Sequence, residues 1–144
     1  TLFMNAVIKT TATGTIVGPN AVAALQWDVA SLTLRLVQSV TAVIASSTSS
    51  ITSGVGGVVE TQYNSSTGAW SFWINRTSAG SGTQTATLSS SNGMNLCDQF
   101  GISGNAEYFD GSIGEIIMYD LSGGIPSGSR TSIENNQQTY WGTP

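Results

Sequence analysis

The segment that most constrains the fold is Asp110-Gly111-Ser112-Ile113-Gly114-Glu115-Ile116-Ile117-Met118-Tyr119-Asp120. Asp110-Gly111 reads as a tight turn, because glycine takes the positive φ that a sharp reversal demands. In a period-two strand after it, Ile113, Glu115, Ile117 and Tyr119 share one face and Ile116 and Met118 the other, so both faces carry apolar bulk. Such a strand needs a cover on each side, which predicts the central strand of a two-layer protein. Glu115 is the exception on its face. A buried carboxylate must find donors or a cation, because desolvation is otherwise uncompensated. Arg130 or backbone N–H groups are the expected partners, tying a closing helix to the sheet, with Trp141 fastening the tail across the strand.

The remainder of the chain is read as short strands separated by polar turns. Residues 2–8 form a β-rich run with residues 15–17 as its return strand. Leu32, Leu34 and Leu36 alternate against Thr33, Arg35 and Val37, the clearest half-buried strand, and residues 40–45 give another. Residues 46–57 and 77–83 are Ser/Gly-rich and read as loops. Residues 58–63 and 69–75 flank the polar turn 64–68 and pair as an antiparallel hairpin, in which Trp70, Phe72 and Ile74 take the core face. Further strands are expected at 24–28, 85–89 and 94–102. Ser127 is the expected cap of a helix running through Ile133 and Gln137 toward Tyr140 and Trp141. That helix is rich in Ser, Thr and Asn and needs docking to persist.

The run Phe109-Asp110-Gly111-Ser112-Ile113-Gly114-Glu115-Ile116-Ile117-Met118-Tyr119-Asp120, followed by Arg130, Ile133-Glu134 and Tyr140-Trp141, resembles the C-terminal signature of laminin-G-like, concanavalin A-like jelly rolls. Residues 58–75 are similar to the family's penultimate hairpin, which ends in an Asn. Gly commonly follows that Asn in the family, and this chain has Arg76 instead. The resemblance implies an all-β fold: a two-sheet antiparallel β-sandwich, or jelly roll, closed by a short C-terminal helix. It argues fold more strongly than function.

With 144 residues the chain fits a single domain spanning 1–144, large enough for a sizeable core. Because it begins at Thr1, it is expected to be excised or processed from a longer chain. Only 8% of residues are charged, against roughly 25% in an ordinary soluble domain, so the surface must be covered by Ser, Thr, Asn, Gln and Gly. That surface suggests an extracellular, cell-surface or virion setting. Lys9, Arg35, Arg76 and Arg130 are the only basic side chains, too few for a basic patch, which argues against nucleic acid. No apolar run approaches the roughly 18 residues of a membrane span. The lone Cys97 excludes an internal disulfide.

Histidine is absent, which removes the commonest general base and zinc ligand. No Gly-x-Ser-x-Gly elbow is present either. Retaining glycosidases place two carboxylates about 5–5.5 Å apart. Asp110, Glu115 and Asp120 are spaced five apart, so consecutive members alternate faces and make a poor catalytic pair. The expectation is therefore a protein without catalytic residues, a concanavalin A-like glycoside hydrolase being the distant alternative. Trp73 lies on the face opposite Trp70, Phe72 and Ile74. It is a candidate platform for a sugar, whose C–H face stacks on an indole, beside Asn75 and Ser71 as hydrogen-bonding ligand residues, with Glu60, Gln62 and Arg76 nearby in the same role. Packing of Trp73 beneath another segment is the structural alternative. No cofactor is expected, although some laminin-G-like domains bind Ca²⁺, for which Asp28, Asp98 and Asp110 are the available carboxylates. Two roles fit these features: a carbohydrate-recognition or adhesion module meeting a glycan or cell-surface receptor, and a structural domain, such as a phage decoration or fibre element, meeting neighbouring subunits.

Overall fold

The computed structural model describes residues 2–10, 17–19, 33–39, 42–64, 66–84, 94–96, 111–120 and 122–144. Among them the elements run β1 (Leu2–Thr10), β2 (Val17–Pro19), β3 (Thr33–Ser39), β4 (Ala42–Ser50), β5 (Gly57–Tyr63), β6 (Ala69–Ile74), β7 (Thr77–Thr83), β8 (Met94–Leu96), β9 (Gly111–Asp120) and α1 (Ser127–Trp141). Five strands form one antiparallel sheet in the order β7-β6-β5-β1-β9, while β3 pairs with β4 and β2 with β8. The predicted strands at 24–28 and 85–89, and the 97–102 part of the last, lie outside the described residues.

Alternation sorts the five-stranded sheet into two faces. Ala6 and Ile8 of β1, Val59 and Tyr63 of β5, Phe72 and Ile74 of β6 and Ala79 of β7 make the inner face. They pack on Leu34 of β3, Ala45 of β4 and Ile51, so the β3–β4 hairpin supplies the second layer and the core lies between. This is a two-layer antiparallel β-sandwich with a C-terminal helix, as expected from the sequence. The Trp70, Phe72, Ile74 face is likewise the core face, with Phe72 wholly buried. The opposite face carries Asn5, Glu60 and Trp73, and α1 covers it.

Several sequence expectations are corrected. Among the described strands β9 stands at the end of the order, not in the middle, and its residues 113–118 are half-buried. Its apolar bulk on both faces is explained by the core beneath and α1 above. The period-two face assignment also breaks. Val7 pairs with Glu115 but Ile8 with Ile113, so Gly114 is the extra residue of a β-bulge. The bulge moves Ile113 onto the core side with Ile116 and Met118. β1 does not pair with Val17, the described residue of the predicted return strand 15–17. It lies between β5 and β9, consistent with apolar side chains on both its faces, and Val17 pairs with Leu96.

Two segments read as Ser/Gly loops are partly or wholly strand. Residues 46–50 continue β4, where the Ser47 hydroxyl accepts from the Leu34 N–H (2.9 Å) and donates to the Ser49 carbonyl (2.6 Å). It thereby satisfies the backbone at a break in the β3–β4 register, between Thr33 and Arg35. Residues 77–83 are β7. Its Gly82 makes room for a tryptophan: a Cβ there would stand 2.8 Å from the Trp70 ring. Long-range packing thus demands the composition that locally resembles a loop.

The β6–β7 reversal is a two-residue turn at Asn75 (φ 47°) and Arg76 (φ 68°), with Ile74 and Thr77 paired across it. Positive φ at both central residues suits the strand twist, so Arg76 occupies the turn where the resembled family has Gly. The Asn75 Oδ1 accepts from the Val58 N–H at 2.8 Å. Asn75→Ala should cost about 1–3 kcal/mol, because it strands that donor and puts a Cβ residue with no local hydrogen bond at positive φ. Urea unfolding of the variant checks it; a loss within a few tenths of a kcal/mol would contradict it.

Helix α1 begins with Pro126 in the cap position and no side-chain cap, so Ser127 is its first residue rather than its cap. It ends where Gly142 turns left-handed (φ 63°) and returns its N–H to the Gln138 carbonyl. No helix of the described residues is long and apolar enough to cross a membrane.

Candidate functional site

Arg130, Glu134, Gln137 and Trp141 recur at helical spacing and lie along one face of α1, which docks on the outer face of the sheet largely through polar groups. Glu134 and Gln137 are fully buried there. Beneath them Glu60 of β5, also fully buried, accepts from Asn5 Nδ2 (2.6 Å) and Arg130 Nη1 (2.9 Å). The same Nη1 is 2.8 Å from Glu134 Oε2, an ion contact without a well-aligned hydrogen bond. One guanidinium therefore serves two buried carboxyls. Burial pushes the Glu60 carboxyl up to about 8, helped by the adjacent Glu134 and opposed by Arg130 and Asn5.

These contacts redistribute the residues predicted from sequence. Arg130 goes to Glu60 and Glu134 rather than to Glu115. Glu115 instead accepts from Gln137 Nε2 at 3.1 Å. The register explains the exchange: Glu115 of β9 faces Val7 on β1, whereas Glu60 of β5 faces Asn5 on β1 and Trp73 on β6. Both carboxylates still connect α1 to the sheet.

Trp73 does face away from the core, but it is half-buried, with the Arg130 guanidinium 4.7 Å from the ring centroid. Ser71, half-buried, stands opposite Gln62 in the ladder, and Gln62 Oε1 accepts from the Ile125 N–H at 3.2 Å. Asn75 serves the Val58 N–H. Arg76 is exposed and donates to Asn135 Oδ1 of α1 at 2.9 Å. All five lie on β5, β6 or the β6–β7 turn, and four of them are engaged by α1, its approach segment or the backbone of β5.

An open cleft lies elsewhere, at the junction of β9 with the end of α1. It encloses about 390 Å³ and is lined by Gly114, Glu115, Asn136, Tyr140 and Trp141. The β-bulge builds its floor: a Cβ at Gly114 would stand 3.0–3.1 Å from the Trp141 indole, so the ring rests on bare backbone. Tyr140 meets the indole edge-on at 75°, ring centres 5.1 Å apart. The two rings are 78% and 43% exposed, so aromatic surface is presented to solvent. Glu115 and Asn136 place a carboxylate and an amide beside them. The combination suits binding of a hydroxyl-rich, partly apolar ligand.

Sequence reasoning assigned Trp141 to fastening and Glu60 to the surroundings of Trp73, and gave no functional role to Gly114, Asn136, Glu134 and Gln137. Some of these had a signal. Arg130, Glu134, Gln137 and Trp141 share one helical face, and Glu60 shares the parity of Trp73 across the hairpin. The bulge had none. Among the described residues no group of three or more His, Cys, Asp or Glu is placed to hold a metal. Asp28, Asp98 and Asp110, named for Ca²⁺, lie outside the described residues.

No family model matches the chain, and no curated protein matches it. Solved structures do. A candidate carbohydrate-binding protein from Bacteroides ovatus is 15% identical over 82% of this chain, with a TM-score of 0.63. A heptameric SAP-like pentraxin from Limulus polyphemus is 18% identical over 81%, with a TM-score of 0.60. Domain 4 of AbnA, an extracellular GH43 arabinanase from Geobacillus stearothermophilus solved with arabinotriose, is 16% identical over 92%, with a TM-score of 0.61. The matches span 36%, 62% and 66% of those three chains. At such identities the likeness establishes the fold, a jelly-roll β-sandwich.

Proposed function

We propose that this chain is a non-catalytic carbohydrate-recognition module of the laminin-G-like, concanavalin A-like kind. The observation that carries the reading is the exposed Tyr140–Trp141 pair beside the Glu115 carboxylate in an open cleft. Two of the three similar structures are described by carbohydrate binding or by a bound arabino-oligosaccharide, which supports the same reading. Its buried carboxyl pair, Glu60 and Glu134, is shut beneath α1 and salt-bridged to Arg130, which favours a structural role over hydrolysis. The proposed setting is a cell or virion surface, where the module works within a larger protein and without a metal.

The test is a glycan array followed by calorimetric titration with the best soluble ligand, arabinotriose included, with and without EDTA. Saturable binding unaffected by EDTA, with the saccharide recovered intact, is the expected result. Failure of every glycan, together with a stable symmetric oligomer in light scattering, would favour the structural or assembly role instead.

A further inference from the structure

The cleft between β9 and α1 carries more chemical information than the general reading uses. Its volume, about 390 Å³, lies at the small end of the roughly 300–1,000 Å³ of ligand pockets, enough for one sugar ring and part of a neighbour but not a long run. Its aromatic part is fixed, since the indole rests on the Gly114 backbone at the bulge and Tyr140 abuts its edge. A ring stacked there presents its hydroxyls to the polar lining, Glu115 and Asn136.

Among the described side chains that line the cleft, Glu115 is the charged one. Its Oε2 accepts a hydrogen bond from Gln137 Nε2, a neutral amide that orients the carboxylate without cancelling its charge. Arg130, the cation on the same helix, is committed to Glu60 and Glu134. Arg76 reaches Asn135 from the β6–β7 turn, with β5 and β1 lying between β6 and β9 in the sheet. An anionic sugar would bring a second negative charge to Glu115, in a chain whose formal charge is already −4. A neutral sugar would instead donate hydroxyl protons to the carboxylate, a hydrogen bond strengthened by that charge.

We propose that this cleft binds a single neutral sugar ring, with Trp141 under its C–H face and Glu115 and Asn136 on its hydroxyls, and that Glu115 discriminates against uronic and sialic acids. The proposal rests on the carbohydrate-recognition reading and adds to it the place and the ligand class.

The experiment titrates the whole chain with neutral arabino-, gluco-, galacto- and manno-oligosaccharides and with oligogalacturonate and sialyllactose, following tryptophan fluorescence and heat. Trp141→Ala, Asn136→Ala, Tyr140→Ala and Glu115→Gln are compared, with Arg76→Met as a control on the far flank of α1. Asn136 and Tyr140 are exposed, so their variants test the cleft even if Trp141→Ala unfolds. The expected result is neutral binding weakened about tenfold or more by Trp141→Ala and Glu115→Gln, less by the other two cleft variants, and unchanged by the control. Glu115→Gln should also narrow the gap between neutral and acidic sugars. Neutral binding that survives every cleft variant would overturn the site while leaving the carbohydrate reading intact. Acidic sugars bound by the unaltered chain as tightly as neutral ones would overturn the charge selection. Absence of binding to any saccharide would remove the general reading and this one together.

Discussion

Arg130→Met should lower the stability of the folded chain by about 3–5 kcal/mol at neutral pH, the usual cost of leaving buried charge without its partner. One guanidinium nitrogen is 2.9 Å from Glu60 and 2.8 Å from Glu134, and both carboxyls are wholly buried. Met preserves much of the apolar stem but offers no donor and no charge. It also withdraws the cation from the Trp73 ring, a smaller loss of about 0.5–2 kcal/mol that forms part of the total. Because the contact holds α1 to the sheet, the helical circular-dichroism signal should weaken at lower urea than the sheet signal. Arg76→Met, which removes an exposed arginine bonded to Asn135, should change stability by no more than about 0.5 kcal/mol. A triple variant with Glu60→Gln and Glu134→Gln should recover most of the Arg130→Met deficit, since the buried carboxyls that needed the cation are then gone. Equal stability of Arg130→Met and Arg76→Met in urea titrations would contradict the account.

What the sequence made legible divides along a physical line. The β5–β6 hairpin was readable because Trp70, Phe72 and Ile74 alternate cleanly and a glycine sits late in the turn, so local pattern and tertiary burial agree. The strand at Leu34 and the closing helix were readable for the same reason. β7 was not, because Gly82 is small on account of Trp70, a contact that only the folded sheet creates, and Gly80 takes a positive φ. Nor was the order of strands, in which β1 joins partners about fifty or more residues away.

At the site the same division holds. Glu115 and Arg130 were recognisable as polar groups needing partners, and each found one, but which one depends on register across three strands. Parity correctly turned Trp73 outward. Its cover, Arg130, comes from a helix whose place over the sheet no local pattern specifies. The cleft is the least legible feature, since it exists because one residue of β9 bulges and leaves Gly114 free to meet Trp141. A glycine between Ile113 and Glu115 is consistent with a bulge, but nothing local distinguishes it from an ordinary strand glycine.

Raising the pH through the neutral range should destabilise the protein, the reverse of the usual behaviour of a salt-bridged carboxylate. Glu60 has its pKa raised from an ordinary 4.5 to about 8, chiefly by burial and then by Glu134, with Arg130 and Asn5 opposing. The groups packed against it are Asn5 from β1, Trp73 from β6, and Arg130 and Glu134 from α1. Between those two values the folded state holds a proton that the unfolded chain has released, so the folded state binds more protons and stability falls as pH rises. The contribution is fully present below about 4.5 and is lost progressively until the pH passes about 8. The slope approaches about 1.4 kcal/mol per pH unit in the middle of the window, and the whole change is on the order of a few kcal/mol. Glu60→Gln supplies the control, because a neutral amide keeps an acceptor for Asn5 and Arg130 without titrating. Urea unfolding at half-unit steps from pH 5.5 to 8.5 should show a falling curve for the unaltered chain and a nearly flat one for Glu60→Gln, with the variant the more stable at the alkaline end. Stability that is level or rising over that range in the unaltered chain would refute the proton held at Glu60. Since α1 carries Asn136, Tyr140 and Trp141 as well as Glu134, loosening of the dock at alkaline pH should also weaken binding at the cleft, and Glu60→Gln should protect both together.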